Sequence, residues 1–255
     1  DYSGGATCPS LLLEPSRTNL YTYSEYGGAW TQSNATITDN YAISPEGVQN
    51  AFRALLTGLI YINGTGTTGQ DNTLSVWAKS NTGSNQDFRF FANGNTIKSN
   101  NLTATTEWQR FDFTYSCTSV TAGIAGTAGG TSDILFYGFQ QEVGSYPTSY
   151  IPTYGVSQTR AQDDCRESSA TSLIGQTEGT IYWEGSIVSV PGQGANIASF
   201  NYSTSSSISL ERQPNKTIRA RIWSNGAVVN IVTLGIGYDG NVKIAFAYKS
   251  GDTTL

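Results

Sequence analysis

The chain has 255 residues, enough for one large or two medium domains. Only 13% of them are charged, the formal net charge is −5, and there is no His and no Met. This composition excludes a basic nucleic-acid-binding face, and the missing imidazole removes the commonest general base and metal ligand.

Polarity is carried instead by Ser, Thr, Asn, Gln and Gly. That is a poor recipe for helices and a common one for exposed sheets and turns. The 28 Gly against 7 Pro add tight turns that need positive φ. No apolar run approaches the ~18 residues of a membrane span, and the start carries no signal-peptide pattern. The chain opens at Asp1 without an initiator and stops at Leu255 inside an alternating pattern. It reads as a piece of a longer polypeptide.

In chain order, residues 1–20 are extended, with Leu11-Leu12-Leu13 between Pro9 and Pro15 as an edge segment lying on a core. Ala35–Thr38 is a short strand, and Ser44-Pro45-Glu46-Gly47 a turn. Ala51–Leu56 has a helical alternative, but Thr57-Gly58 stops it at once, and Leu59–Ile62 resembles a strand. Asn63–Asn72 is a Gly/Thr-rich loop. Leu74–Lys79 and Asp87–Phe91 alternate, and Glu107–Tyr115 is the clearest strand, with Phe111, Phe113 and Tyr115 on one face. Trp77 and Trp108 in these runs read as core. Val120–Ala128 is weaker.

The run Ile134–Phe139 is the last core strand of the first domain. Beyond it, Pro147 and Pro152 bracket Tyr146 and Tyr150. The prolines forbid a helix and predict an extended return that packs its tyrosines on the domain below. After a polar linker the period-2 pattern resumes: Gly179–Glu184, Asn196–Tyr202, Ser207–Arg212, Thr217–Trp223, Ala227–Leu234 and Asn241–Lys249. Asn225-Gly226 and Asp239-Gly240 are hairpin turns. These strands suffice for about one sheet. The Val242, Ile244, Phe246, Tyr248 face is therefore expected to need cover from further strands or a neighbouring chain.

The three cysteines, Cys8, Cys117 and Cys165, match no zinc spacing. Three reduced, buried thiols are expected, with a Cys8–Cys165 pair as the alternative. Asn-x-Ser/Thr triplets at Asn34, Asn63, Asn101, Asn201 and Asn215 are expected by chance in so polar a chain.

Two stretches carry a resemblance. Cys8–Leu20 with Tyr23-Ser24-Glu25, Trp30 and Ser44–Gly47 form the first. Gln141–Thr153, with Glu107–Phe111 before it and Thr159–Asp163 after it, form the second. Both resemble a module common in bacteriophage tail-fibre and other virion proteins, which is similar to jelly-roll carbohydrate-binding modules of xylanase type. The second half, through Ala245–Thr253, resembles a laminin-G/concanavalin A-like domain.

Patterning and resemblance together predict an all-β chain of two antiparallel β-sandwich, jelly-roll-like domains in tandem with almost no helix. The first spans 1–160, a linker 161–174, and the second, incomplete, 175–255. The resemblance implies a non-enzymatic phage virion protein, a tail or head fibre or appendage module on the particle surface. Its partners would be a host-surface glycan or other virion proteins, and its assembly a homotrimer. Two alternatives stand beside it: an accessory carbohydrate-binding module of a secreted bacterial glycoside hydrolase, and an architectural spacer that binds nothing.

Candidate sites follow. Asp112, Glu142, Glu184 and Glu211 sit singly on alternating strands, so no catalytic carboxylate pair is expected. Without His, and without a Gly-x-Ser-x-Gly elbow, no serine nucleophile is expected either. Sugar sites stack pyranose rings on exposed aromatics. Trp223, beside Asn225 at a hairpin end, is the leading platform, and Trp30 the second. No cofactor is expected. The resembled modules often carry a structural calcium, and Glu25 matches that region. The strand that would supply a second acid reads Phe139-Gln140-Gln141 here.

Overall fold

The computed structural model describes residues 12–63, 66–127, 130–165, 175, 177–187, 194–203, 206–235 and 240–249. The chain is all-β, as the patterning requires. Among the described residues the one helical element is a single 3-10 turn at Gly27–Ala29. Two compact units divide the chain, Asp1–Cys165 and Arg166–Leu255.

Unit 1 contains β1 (Arg17–Asn19), β2 (Thr31–Ile43), β3 (Gln49–Asn63), β4 (Asp71–Ser80), β5 (Gln86–Ala92), β6 (Ile97–Lys98), β7 (Leu102–Ala104), β8 (Gln109–Ser116), β9 (Thr121–Gly126), β10 (Ser132–Val143) and β11 (Gln158–Arg160). Nine of these hydrogen-bond into one continuous antiparallel sheet, while β1 and β11 form a separate pair. The large sheet folds over on itself through the long strand β3. Phe52–Leu56 of β3 pair with β10, and Leu59–Asn63 pair with β9.

The turning point is Gly58, where a Cβ would lie 2.1 Å from the Ser33 carbonyl oxygen, so only glycine fits. Opposite it, β2 bulges at Asn34, which sits at φ 51°. Residues Phe52–Leu56 are therefore strand and not helix. Ala51, Phe52, Ala54 and Leu56 are all fully buried, so apolar side chains on both faces of this strand hide its alternation.

The folded layers meet through aromatic rings. Phe88 of β5 packs edge-on against Phe111 of β8 and Phe136 of β10, each at 5.3 Å between centroids. Phe90 meets Phe113 at 6.3 Å and Phe139 at 6.1 Å. Each such ring removes roughly 2–3 kcal/mol worth of apolar surface from water. In β10 a bulge between Tyr137 and Gln140, with Gly138 at φ 67°, keeps Phe136 and Phe139 both facing this core.

Unit 2 holds β12 (Glu178–Ile187), β13 (Ala195–Ser203), β14 (Ser206–Arg212), β15 (Ile218–Ser224), β16 (Ala227–Leu234) and β17 (Gly240–Lys249). The six divide into a β12-β17 pair and a four-stranded meander, β13-β14-β15-β16. This corrects the expectation of a single sheet with an open face. Ile244 and Phe246 of β17 are 5% exposed and cluster with Ile181, Leu210, Ile218 and Ala220. The meander itself supplies the cover.

Leu12 and Leu13 are 53% and 52% exposed, so that segment does not bury its side chains on a core. Cys117 is buried but Cys165 is exposed, and Cys8 lies outside the described residues. Trp77 and Trp108 are only half-buried and belong to neither core cluster. Leu74, Val76 and Ala78 take the inner face of β4, which turns Trp77 outward.

Candidate functional site

The outer face of β10 is covered by the return segment 145–155. Gln140 and Glu142 there are fully buried. The Gln140 amide oxygen accepts from the Ile151 N–H at 2.7 Å. The Glu142 carboxylate accepts from the Thr148 N–H at 2.9 Å and from the Thr148 hydroxyl. Arg110 donates to the Thr148 carbonyl at 2.8 Å. Side chains thus replace the ladder that Pro147 and Pro152 prevent.

The return also ties down the chain entry. The Asn19 amide donates to the carbonyls of Phe139 at 3.1 Å and Ile151 at 2.8 Å. Ser24 and Thr153 exchange bonds: the Ser24 N–H donates to the Thr153 hydroxyl oxygen at 3.0 Å, and the Thr153 N–H donates to the Ser24 hydroxyl oxygen at 2.8 Å. One residue further, Tyr23 and Tyr154 form an isolated antiparallel bridge. The return therefore packs its tyrosines on the domain, as its prolines and aromatics suggested.

This arrangement builds a tyrosine-rich surface around Glu25. Glu25 Oε1 accepts from the Tyr150 hydroxyl at 2.9 Å and from the Tyr154 hydroxyl at 3.2 Å. Oε2 accepts from the Asn50 amide at 3.0 Å. Because Tyr150 gives its one proton to Glu25, its 2.6 Å partner Ser24 must donate to it. Three exposed rings lie on these segments: Tyr154 at 74%, which donates to Glu25, Tyr23 at 39%, bridged to Tyr154 through the backbone, and Tyr26 at 51%, next to Glu25 in the chain. The Tyr23 and Tyr26 rings are 6.5 Å apart.

A second carboxylate approaches from the β2–β3 turn. That turn, Ser44–Gly47, is closed by the Gly47 N–H on the Ser44 carbonyl at 3.0 Å, with Gly47 at φ 82°. It carries Glu46 toward Tyr137, whose ring is 1% exposed and meets Tyr150 edge-on at 5.3 Å. The Tyr137 hydroxyl is buried without a hydrogen-bond partner. Burial, and then the nearby Glu46 and Glu25 carboxylates, push it well above the ordinary phenol range. Tyr154 is raised too, by burial and then by Glu25 and Glu46. Both carboxylates act on the same hydroxyls.

Trp30 is not a platform. It is 4% exposed, packs on Tyr21, Phe52 and Phe139, and donates its indole N–H to the Tyr23 carbonyl at 2.9 Å. The 3-10 turn ahead of it folds its ring inward. Glu25 is at the surface described, but its oxygens serve hydroxyl and amide donors. Among the described residues no group of three or more His, Cys, Asp or Glu gathers around a common point. Trp223 is half-buried, and the Arg221 guanidinium lies over its ring at 4.7 Å, so one indole face is occupied. Asn225 and Gly226, at φ 51° and 78°, make the hairpin turn itself. The exposed tyrosines and Glu46 were not singled out from the sequence. The run Tyr23-Ser24-Glu25-Tyr26 held part of that signal, but Tyr154 is 129 residues from Glu25.

No protein-family model matches the chain, and no curated protein does. Solved structures do. The CBM22-1 xylan-binding domain of Paenibacillus barcinonensis Xyn10C is 15% identical over half of this chain and 92% of its own, with a TM-score of 0.36. The CBM22-1-CBM22-2 tandem of the same protein is 14% identical over 92% of this chain and 86% of its own, at 0.37. The tripod from the baseplate of bacteriophage Tuc2009 is 12% identical over 93% of this chain and 98% of its own, at 0.26. With TM-scores this low, the functional reading rests on the chain's own residues. No helix among the described residues is long and apolar enough to cross a membrane.

Proposed function

We propose that unit 1 is a non-catalytic glycan-binding module, and that the surface around Glu25 is its site. One observation carries this: a carboxylate whose two oxygens are held by three neutral donors, one of them the exposed Tyr154, with exposed Tyr23 and Tyr26 on the chain segment that bears it. Rings of this kind stack on the C–H face of a pyranose, and a fixed acceptor receives its hydroxyl protons. Tyrosine is suited to this because it combines a large apolar face with a polar tip and little rotamer entropy.

The wider setting we propose is the surface of a phage particle, as a tail or head appendage that contacts host glycans. The resemblance of the Cys8–Leu20 and Gln141–Thr153 stretches supports it. In a homotrimer, three weak sites would gain avidity. The second unit is proposed as a laminin-G/concanavalin A-like sandwich on the same kind of resemblance.

The test is a broad glycan array followed by calorimetry with the 255-residue chain. Tyr154→Ala and Tyr26→Ala are each expected to weaken binding by about tenfold, the effect of losing an aromatic anchor. No released sugar is expected on prolonged incubation. Silence across the array overturns the reading, and a monomer by light scattering at micromolar concentration removes the trimer.

A further inference from the structure

We infer that the outward face of the meander in unit 2 binds an acidic sugar, with its carboxylate between Arg219 and Arg221 and its ring beside Trp223. This face lies in the other unit from the Glu25 surface, so the two readings stand or fall separately.

Strand register fixes the face. Along β15, Ile218, Ala220 and Ile222 turn into the core, so Arg219, Arg221 and Trp223 form one outward row. On one side of this row, β14 sets Glu211 opposite Arg219 and Ser209 opposite Arg221. On the other side, β16 sets Ile231 opposite Arg221 and Val228 opposite Trp223. Ile231 and Val228 are both exposed, so this flank is open.

One buried acid orients both guanidinium groups. Glu211 Oε2 accepts from Arg219 Nη2 at 2.7 Å, and Oε1 accepts from Arg221 Nη2. The Arg221 guanidinium also lies over the Trp223 ring at 4.7 Å, so two contacts set its plane. Both arginine side chains stay about a quarter exposed. Their Nε atoms are buried and out of a ligand's reach. Among the described residues neither Nη1 group bonds to the protein, and neither is a buried atom. These two groups are what a ligand meets, already held in place.

Their spacing and surroundings decide what fits. Side chains two residues apart on one strand stand about 7 Å apart. One carboxylate bridges that gap with a bond from each Nη1. Two guanidinium charges share the single Glu211 carboxylate, and among the described residues no second acid pairs with either. The row therefore favours an anion, although the chain as a whole has a formal net charge of −5. Two arginines are too few to follow a nucleic-acid backbone. Inorganic phosphate would use the arginines alone. A sugar acid also uses the apolar flank of Trp223 and Val228, against which the C–H face of a pyranose packs.

The experiment titrates the 255-residue chain with a galacturonic acid oligosaccharide and with its carboxyl-reduced, neutral counterpart. At about pH 7 the sugar carboxyl groups are ionised. The acidic oligomer is expected to bind at least about tenfold more tightly, and the preference to shrink at raised ionic strength. Arg221→Gln is expected to remove most of that preference. Because it also disturbs the Glu211 network, Ile231→Glu serves as a second variant. It sets an acid opposite Arg221 from an exposed position, and is expected to remove the preference while urea unfolding stays unchanged. Tyr154→Ala, in unit 1, is expected to leave the preference intact. Equal binding of the two oligomers, no binding of the acidic one, or a preference that survives both unit 2 substitutions overturns the inference and leaves the Glu25 reading to its own array. A preference lost in Tyr154→Ala but kept in Ile231→Glu assigns the charge to unit 1 and overturns it as well. Inorganic phosphate or a polyglutamate peptide binding as tightly as the acidic oligomer overturns the sugar assignment.

Discussion

Two glutamates, one in each unit, are treated in opposite ways. Glu211 of β14 faces outward from the meander, opposite Arg219 of β15. Its side chain is 6% exposed. It accepts from Arg219 at 2.7 Å, from Arg221, from the Ser209 hydroxyl at 2.7 Å and from Gln213 at 3.2 Å. Burial works to raise its pKa, but the hydrogen bonds from Arg219 and Ser209 and the Arg221 charge outweigh it, and the carboxyl is held below the usual range. Glu25 is half-buried, and no cation pairs with it among the described residues. The difference separates two uses of an acid. Glu211 is charge-paired and holds the fold together, and Glu142 does so on Thr148 beneath the return segment, whereas Glu25 keeps its charge uncancelled beside exposed Tyr154.

The sharpest way to break this comparison is to remove each acid. Glu211→Ala leaves two guanidinium groups close together and only about a quarter exposed, with no carboxylate between them. Losing one member of a buried network costs about 3–5 kcal/mol, and partial exposure discounts this to about 2 kcal/mol. Urea unfolding followed by tryptophan fluorescence should show the transition of unit 2 moving to lower denaturant. Glu25→Gln keeps an acceptor for the tyrosine hydroxyls and should cost under about 1 kcal/mol. If the two substitutions destabilise equally, the distinction fails.

A second effect is expected from acid. The pKa of Glu211 is lowered, and so are those of Asp133, by the Arg53 hydrogen bonds, and Glu14, where bonds from Ser149 and Arg160 overcome burial. A carboxyl depressed in the folded state contributes stability above its unfolded pKa, about 3.9 for Asp and 4.3 for Glu. That contribution is lost as pH falls through the folded value. Stability should therefore be level with respect to these groups near neutrality and fall below about pH 4. Glu211→Ala should flatten the acid limb of unit 2 alone, because Asp133 and Glu14 lie in unit 1. An unchanged limb in that variant would show that Glu211 is not what the arginines stabilise.

Much of the architecture was legible because one face of most strands is wet. β8 and β17 alternate, with exposed Asp112 between inward Phe111 and Phe113 and exposed Lys243 and Ala245 flanking inward Ile244. β3 was ambiguous for another reason: Ala51 and Leu55 put apolar side chains on the face opposite buried Phe52, Ala54 and Leu56. The site was less legible. Glu25 drew notice through a resemblance, but its neighbours Tyr150 and Tyr154 arrive from 125 and 129 residues away. Glu46 read as a turn residue, which it is. No local pattern encodes that this turn leans toward Tyr137. Trp30 misled because an aromatic in an irregular entry segment looks exposed, whereas Phe52 and Phe139 enclose it.

The smallest expected effect separates the two roles of a single side chain. Tyr154 is 74% exposed, and its hydroxyl donates to Glu25 Oε1 at 3.2 Å, a longer bond than the 2.9 Å one from Tyr150. Tyr154→Phe keeps the ring and removes only that donor. Stability should stay within about 0.5 kcal/mol, as for other exposed substitutions. Loss of one neutral hydrogen bond, worth about 1 kcal/mol at most in so open a place, allows a change in oligosaccharide affinity of only about threefold to fivefold. Tyr154→Ala removes the ring as well and should cost about tenfold. Calorimetry on the two variants with the same oligosaccharide measures the gap. If Phe and Ala weaken binding alike, the hydroxyl is the contact and the ring is not a platform. If Phe matches the parent chain and Ala does not, stacking carries the interaction, and Tyr150 with Asn50 suffices to hold Glu25 in place.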